Sequence, residues 1–261
     1  MTETSGPLLS LRGVGKRFGA VQALSEVDFD VSRGEVVALV GDNGAGKSTL
    51  IKVIAGVLRP DGGEIVFDGR PVTIDGPADA TALGIATVYQ DLALCDNLDV
   101  VGNLYLGQET VGAGAASRWI DETAMERRSL ELMSQLSVSI PSVRTPVASL
   151  SGGQRQSVAI ARSLLGDPSI VMLDEPTAAL GVAQTAEVLQ LIRDLRERGL
   201  GVVVISHNMA DVFAVADRIV VLRLGRNNGD FPVGETSREA IVAAITGADR
   251  GAKPTTEEVS A

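Results

Sequence analysis

Short apolar runs alternate along this chain with segments of helical periodicity. Apolar runs of this length, separated by helices, are typical of buried parallel strands in an α/β protein. We therefore predict an α/β fold in which each run forms one strand of a buried parallel sheet. The six runs lie at residues 36–40, 65–67, 85–88, 170–173, 202–205 and 219–222.

The pattern changes between residues 91 and 167, which carry a Gly/Ala-rich link, GQETVGAGAAS, and further helical periodicity. An amphipathic helix is predicted from about Asp121 to Leu136, and a second helix after Ser151. We interpret residues 91–167 as a helical subdomain inserted in a single α/β domain that covers residues 1–247. Residues 248–261 are polar without periodicity and are predicted to form a mobile tail.

Composition and charge exclude several classes of protein. Hydrophobic residues make up 45% of the chain and charged residues 21%, which is ordinary globular usage. The net charge of −10 argues against a nucleic-acid partner. No apolar run approaches the roughly 18 residues of a membrane span, and the N-terminus lacks the pattern of a secretion signal. We therefore expect a cytosolic chain that meets a membrane only through another protein.

The strongest local motif is GDNGAGKS, residues 41–48, which satisfies G-x-x-x-x-G-K-[ST] between a predicted strand and a helical segment. Glycines allow backbone N–H groups to turn toward phosphate oxygens, and the N-terminus of the following helix favours the same anion. Lys47 adds a charge for the outer phosphates, and Ser48 adds a hydroxyl ligand for Mg²⁺. The alternative is a glycine-rich turn that binds no ligand.

Two acids follow a buried strand in IVMLDEP, residues 170–176. A phosphate loop needs a carboxylate for the metal and a group that handles water. Asp174 is a candidate to hold Mg²⁺ through its water shell, and Glu175 is a candidate general base. The alternative is a surface acidic pair that begins a turn at Pro176.

A third motif, LSGGQ at residues 150–154, precedes a helical segment. Ser151 and Gln154 have the spacing of a capping box, so the alternative is a simple helix start. Glycine is a poor choice for a helix alone, since each costs up to roughly 1 kcal/mol relative to alanine. We interpret Gly152 and Gly153 as allowing an anion to approach this helix N-terminus.

The only histidine of the chain, His207, follows an apolar run in VVVISHNMADVF. A lone histidine in this place has a simple alternative explanation, in which it ends a buried strand and bonds to nearby backbone. A functional role for His207 is favoured only when the other motifs of the chain are considered together with it.

Taken jointly, five motifs resemble those of the nucleotide-binding subunit of ATP-binding cassette (ABC) transporters. They are GDNGAGKST, Gln90 in VYQD, LSGGQ, IVMLDEP and ISHN, in that order. The resemblance covers roughly residues 8–247 and implies a P-loop α/β core with a small antiparallel β part and an inserted helical subdomain. It also implies that two subunits face each other head to tail. Each of two ATP molecules would then lie between the phosphate loop of one subunit and the LSGGQ of the other.

The resemblance assigns further roles. Phe18, in KRFG, resembles the aromatic that stacks on adenine, and the alternative is a small hydrophobic contact. Gln90 resembles the glutamine that meets Mg²⁺ and water and links the site to the membrane subunit. His207 resembles the histidine that contacts the γ-phosphate and orders water near Glu175.

The resulting expectation has three sets of residues. The catalytic set is Glu175, His207, Gln90 and Lys47, and the metal set is Ser48, Gln90 and Asp174. The residues expected to bind ATP are Phe18, Gly41, Asn43, Gly44, Ala45, Gly46, Lys47, Ser48, Thr49, Ser151, Gly152, Gly153 and Gln154.

PTAALG with ISHN, and VYQDLALCDNLDV, are similar to segments of bacterial monosaccharide importers of the ribose, xylose and fructose type. Many of those have two cassettes in tandem, so the single phosphate loop here implies a homodimer. The resemblance also implies integral membrane permease subunits, an extracytoplasmic solute-binding protein and a place on the cytoplasmic side of the membrane. Alternatives are a soluble cassette ATPase that acts on ribosomes or DNA, and a regulatory subunit that does not hydrolyse ATP.

One departure from the family pattern concerns subunit closure. The family usually has S-A-L-D after the acidic strand, whereas this chain has AALG, with Gly181 in place of the aspartate. Glycine cannot make the polar contact of that aspartate. The family pattern therefore does not determine how tightly closure of the two subunits is coupled to ATP hydrolysis in this chain.

Overall fold

Six of the ten strands in the described part of the chain form one sheet. The computed structural model describes residues 6–112 and 119–248. The sheet has the order β10-β9-β3-β8-β7-β6, in which only the β9–β10 pair is antiparallel. Its strands are β3 (Val36–Val40), β6 (Ile85–Val88), β7 (Ile170–Asp174), β8 (Gly201–Ile205), β9 (Arg218–Arg223) and β10 (Arg226–Pro232).

The parallel strands at the centre of this sheet are buried on both faces, which explains why β3, β7 and β8 are almost continuously apolar, whereas the antiparallel edge strand β10 is polar and mostly exposed. Along β3, Val36, Ala38 and Val40 belong to one core cluster, whereas Val37 and Leu39 belong to the other. Successive side chains of a strand point to opposite faces, so a strand covered on both sides must be apolar at every position. The predicted strands at residues 36–40, 85–88, 170–173, 202–205 and 219–222 are confirmed.

A second, four-stranded antiparallel sheet has the order β2-β1-β4-β5. Its strands are β1 (Leu9–Phe18), β2 (Val21–Val31), β4 (Gly62–Phe67) and β5 (Arg70–Val72). The prediction that residues 65–67 belong to the parallel sheet is wrong, because they lie in β4 and pair with β1 and β5. Only Ile65 of these three is fully buried, so one face of the strand packs on the core. A three-residue apolar run did not distinguish this half-buried strand from a parallel one.

Eight α-helices surround the sheets in the described part of the chain. The six-stranded sheet is flanked by α1 (Lys47–Ile54), α2 (Pro77–Ala82), α6 (Val182–Glu197), α7 (Met209–Val215) and α8 (Arg238–Thr246). Between β6 and β7 lie α3 (Val100–Tyr105), α4 (Glu122–Gln135) and α5 (Gly152–Ser163). Within residues 6–112 and 119–248, no helix has the length and apolar character needed to cross a bilayer.

The two helices predicted between residues 91 and 167 are confirmed as α4 and α5. Asp121 caps α4, since its side chain accepts a hydrogen bond from the backbone N–H of Ala124 at 3.0 Å. Residues 113–118 of the Gly/Ala-rich link lie outside the described residues, as does the expected polar tail after Ala248.

Candidate active site

The candidate residues converge because four neighbouring strands are parallel. The strands β3, β8, β7 and β6 lie side by side, with Leu39 and Asp174 both paired to Ile205 and Val88 paired to Leu173. The carboxyl ends of parallel strands meet at one edge of the sheet, where ligands of open α/β sheets bind. The segments that follow these four strands contain the phosphate loop, His207, Glu175 and Gln90 respectively.

The loop from Gly41 to Gly46 connects β3 directly to α1. Gly41, Gly44 and Gly46 have φ of 150°, 80° and 106°, a region that residues with a side chain rarely adopt. A Cβ added at Gly46 would lie 2.8 Å from the carbonyl oxygen of Ala23, so only glycine fits there. In the described chain no side chain caps the N-terminus of α1. The backbone N–H groups of its first turn therefore remain available to bind an anion.

The ammonium of Lys47 lies over this loop. Its Nζ donates to the carbonyl oxygens of Gly41 at 2.5 Å and Asp42 at 3.0 Å. Burial lowers the pKa of Lys47, and the charges of Glu175, Asp42 and Asp174 oppose that shift. A half-buried cation beside the loop amides provides a positive environment for phosphate oxygens.

Asp174 ends β7 beside the same lysine. Burial raises the pKa of Asp174, the neighbouring charge of Glu175 adds to the rise, and Lys47 and Lys52 oppose it. A carboxylate that is poorly solvated and close to another acid is stabilised by a cation. Among the described residues, no group of three His, Cys, Asp or Glu side chains could hold a metal ion by itself. This donor set fits a Mg²⁺ that takes most of its ligands from phosphates and water.

Glu175 and His207 form a hydrogen-bonded pair. His207 Nδ1 lies 2.9 Å from Glu175 Oε1, and the backbone N–H of Glu175 donates to the carbonyl oxygen of Ile205 at 2.9 Å. The His207 side chain is 78% exposed and that of Glu175 is 16% exposed. The alternative in which His207 merely ends a buried strand does not describe this geometry. An ionised carboxylate can only accept, so Nδ1–H donates and leaves the second carboxylate oxygen free.

Gln90 lies near the same carboxylate. It lines, together with Glu175 and Gly152, a cavity of about 450 Å³ between the end of β7 and the helical segment. The cavity thus joins the Gln90 loop to the LSGGQ helix.

The LSGGQ segment begins helix α5 as a capping box. The amide N–H of Gln154 donates to Ser151 Oγ at 3.2 Å, and the Ser151 N–H donates to Gln154 Oε1 at 3.0 Å. A Cβ added at Gly153 would lie 3.0 Å from Cβ of Gln184 in α6. These glycines therefore allow close helix packing within their own chain, a function that the sequence analysis did not anticipate.

Phe18 lies at the end of β1 and is 46% exposed. Lys16 Nζ lies 5.7 Å from the centroid of its ring, within the range of a cation–π contact. The hairpin of β1 and β2 is joined to the phosphate loop through Gly225, whose N–H donates to Ala45 at 3.0 Å and whose carbonyl accepts from Ser25 at 2.7 Å. The aromatic ring thus stands on a strand pair that is attached to the loop.

Arg162 of α5 is a residue that the sequence analysis missed. Its guanidinium donates to the carbonyl oxygens of Leu92 at 2.9 Å and Ala93 at 2.8 Å, just after Gln90. Burial lowers the pKa of Arg162. The available signal was an arginine directly after the apolar run Val158–Ala161 of this helix, because a partly buried guanidinium must find acceptors.

Comparison with known proteins agrees with this geometry. The sequence profile of the family described as ABC transporter matches residues 24–178. The chain is 46% identical over 246 residues to a fructose import ATP-binding protein of Rhizobium meliloti, covering 93% of this chain and 95% of that protein. It is 45% identical over 239 residues to a xylose/arabinose import ATP-binding protein of Sulfolobus acidocaldarius, covering 92% and 94%. Other relatives are longer. A putative ribose/galactose/methyl galactoside import ATP-binding protein of Burkholderia cenocepacia is 43% identical, and the match spans 47% of its length.

Solved structures agree as well. An ATP-binding cassette of an ABC transporter in its ADP conformation superposes with a TM-score of 0.79 at 27% identity, covering 92% of this chain and 95% of that one. A dimeric cassette bound to ADP and Pi gives a TM-score of 0.71 at 27% identity, covering 86% and 98%. The carboxyl-edge site and these similarities lead to one conclusion: the chain belongs to the ABC transporter family and is a nucleotide-binding ATPase.

Proposed function

We propose that this chain is the ATP-hydrolysing subunit of an importer for a monosaccharide. The observation that carries the proposal is the Glu175–His207 pair at the sheet edge that also carries the phosphate loop. The sugar is suggested by the names of the fructose and xylose/arabinose relatives. This chain would drive uptake without touching the solute.

Residues 41–49 would bind the phosphates of ATP, with the loop amides and Lys47 as donors. Phe18 would stack on adenine, because an exposed aromatic on a strand anchored to the loop offers a flat surface to the base. Ser48, Gln90 and Asp174 would hold Mg²⁺, directly or through water. The metal would neutralise charge that develops on the phosphates.

Glu175 would act as general base toward the attacking water. Because His207 holds Oε1, the other carboxylate oxygen is free to accept the proton of that water. His207 would position the carboxylate and, through the exposed edge of its ring, the γ-phosphate. It needs no proton-transfer role for this task.

The LSGGQ helix would complete the site of a second copy. Ser151, Gly152, Gly153 and Gln154 form a helix N-terminus, and a dimeric cassette with bound ADP and Pi is among the similar structures. A homodimer would present two such sites. Permease subunits would hold the dimer at the cytoplasmic side of the membrane, and a solute-binding protein would deliver the sugar to that permease.

The proposal is tested by reconstitution. The chain is first copurified with co-expressed monosaccharide permeases, one permease at a time. Each complex is then placed in liposomes, and Mg²⁺-dependent ATP hydrolysis is measured with fructose, xylose or ribose and the matching binding protein. We expect copurification with one permease and sugar-stimulated hydrolysis. Hydrolysis that responds to ribosomes or DNA, and to none of the permeases, would establish the soluble cassette instead. Absence of hydrolysis by folded protein under all conditions would establish the regulatory alternative.

A further inference from the structure

The loops that follow β7 and β8 are joined at a second place beyond the Glu175–His207 pair. Thr177 Oγ1 donates to Asp211 Oδ2 at 2.6 Å. Thr177 lies two residues after Glu175, and Asp211 lies four residues after His207 in the first turn of α7. None of the roles assigned above uses either side chain.

The Asp211 carboxylate is an unusual group in its surroundings. It is 9% exposed and lies next to Val212, which is fully buried. A buried carboxylate is costly unless it is hydrogen-bonded, and an O–H···O⁻ bond of this length is a strong one. The bond to Thr177 therefore fixes the start of α7 against the segment that follows β7.

The two contacts close a ring of covalent and hydrogen bonds. From Glu175 the chain runs to Thr177, then across to Asp211, back along the chain to His207, and across Nδ1 to Glu175. The turn after Glu175 is tight, since its carbonyl oxygen accepts from the N–H of Ala178 at 3.1 Å and its φ is 49°. His207 is 78% exposed, so packing does little to hold its ring.

We infer that Thr177 and Asp211 are positioning residues, whose hydrogen bond holds the general-base loop and the histidine loop in the register that lets His207 reach Glu175. This inference rests on the proposed function. Catalysis by a positioned group is sensitive to displacements of about 1 Å, which can cost about 100-fold in rate. A bond that only stabilises the fold would leave turnover per folded molecule unchanged.

The first experiment compares Thr177→Val, which removes the hydroxyl at nearly constant shape, with Thr177→Ser, which keeps it. We expect Thr177→Val to lower kcat about 10-fold with KM for ATP within about 2-fold, and Thr177→Ser to stay near the wild type. Asp211→Ala breaks the bond from the other side and should lower kcat similarly. If one of these two variants does not fold, the other carries the test. Wild-type kcat in a folded variant that lacks the bond overturns the inference.

The second experiment needs no turnover. Because the chain has a single histidine, tag-free protein gives imidazole NMR signals from His207 alone. In Thr177→Val those signals should move toward their positions in Glu175→Ala, where the ring has lost its partner. Signals that stay at the wild-type positions overturn the inference.

The matched control is Ser129→Ala. Ser129 is fully buried in α4, its hydroxyl donates to the Met125 carbonyl at 2.8 Å, and α4 carries none of the proposed site residues. The control should lower the melting temperature while leaving kcat and the His207 signals unchanged.

In a Glu175→Gln background, Thr177→Val should have little further effect on the residual rate, because the effects of groups that act as a unit are not additive. If wild-type protein hydrolyses no ATP, the proposed function fails, whereas an unchanged His207 signal in Thr177→Val refutes only this inference.

Discussion

His207 Nδ1 and Glu175 Oε1 lie 2.9 Å apart, although the two residues are 32 positions apart in the chain and follow different strands. Their contact arises because β7 and β8 are parallel neighbours, with Asp174 paired to Ile205. The histidine is mostly exposed and the glutamate mostly buried. The pair therefore combines a solvent-accessible imidazole ring with a carboxylate that is largely shielded from water.

Glu175→Gln should lower kcat for ATP hydrolysis at least about 100-fold while ATP affinity is retained, since the amide keeps the shape but cannot accept the proton. Steady-state hydrolysis and nucleotide binding are measured on the same preparation. Glu187→Gln, at an exposed position of α6, is the matched control and should behave as the wild type. Near-normal hydrolysis by Glu175→Gln would remove Glu175 from the role of general base.

His207→Ala should lower turnover strongly and change the melting temperature little, because its side chain is 78% exposed. The contrasting variant is Met209→Ala, two residues later and 7% exposed. Truncating a buried methionine costs about 2–5 kcal/mol, so that variant should melt earlier. Thermal unfolding and activity per folded molecule separate the two effects. A large loss of stability with retained activity in His207→Ala would return His207 to a purely structural role.

Asp174→Asn should abolish Mg²⁺-dependent hydrolysis and raise thermal stability at about pH 7. The pKa of Asp174 is raised above its ordinary 3.8, so the folded state binds the proton more tightly than the unfolded state. Its charge therefore opposes folding increasingly as the pH rises from 3.8 to the raised pKa, and fully above that value.

The stability gain of Asp174→Asn should accordingly disappear at about pH 3, below the unfolded pKa. Melting temperatures of variant and wild type across that range give the measurement. Asp75→Asn, at a 53% exposed carboxylate paired with Arg59, is the control and should give no gain. A gain that is independent of pH would mean that the charge of Asp174 is not the cause.

Two inactive variants, Lys47→Ala and Ser151→Asp, should complement each other in a mixed dimer if each ATP lies between two copies of the chain. The second variant is Ser151→Asp because aspartate also caps a helix but adds a negative charge that repels phosphate. Gly152→Asp would be a poorer choice, since its Cβ would lie 3.0 Å from Leu180 Cδ2 within the same chain. A mixture with Lys47→Ala and permease should form one intact composite site.

Crosslinking of the closed dimer in ATP is the readout for that mixture. Ser151→Asn, which keeps the cap without the charge, should retain activity by itself. Closure in the mixture should exceed that of either inactive parent. A mixture that never exceeds its parents contradicts the composite site.

Gly181→Asp should be tolerated. Gly181 has φ −73° and ψ 165° as the N-cap of α6, and a Cβ added there would lie 3.9 Å from the nearest atom, Gln184 Oε1. Aspartate stabilises a helix as N-cap slightly better than glycine does, by roughly a few tenths of a kcal/mol. The melting temperature should therefore stay equal or rise. Gly181→Ala, which caps poorly, is the control and should melt lower. Destabilisation by the aspartate would show that the glycine is needed by the fold.

The sequence by itself determined the buried strands and the phosphate loop. Five apolar runs became strands of the six-stranded sheet, because burial on both faces demands apolar residues at every position. GDNGAGKS was informative because its chemistry is local: glycine conformations, the lysine and the helix start lie within eight consecutive residues. The capping box that begins α5 and the two ends of α4 were predictable for the same reason.

Only the tertiary structure decided what depends on strand order and on close packing. Ile65 looked like part of the parallel sheet until its pairing with β1 was known. The bond between His207 and Glu175, the contact of Gly153 with Gln184, and the link from Thr177 to Asp211 join segments that are distant along the chain. Local periodicity indicates which side chains are buried, but it contains no information on which strands are neighbours in the sheet. The side chains of the site come together only because their strands are neighbours.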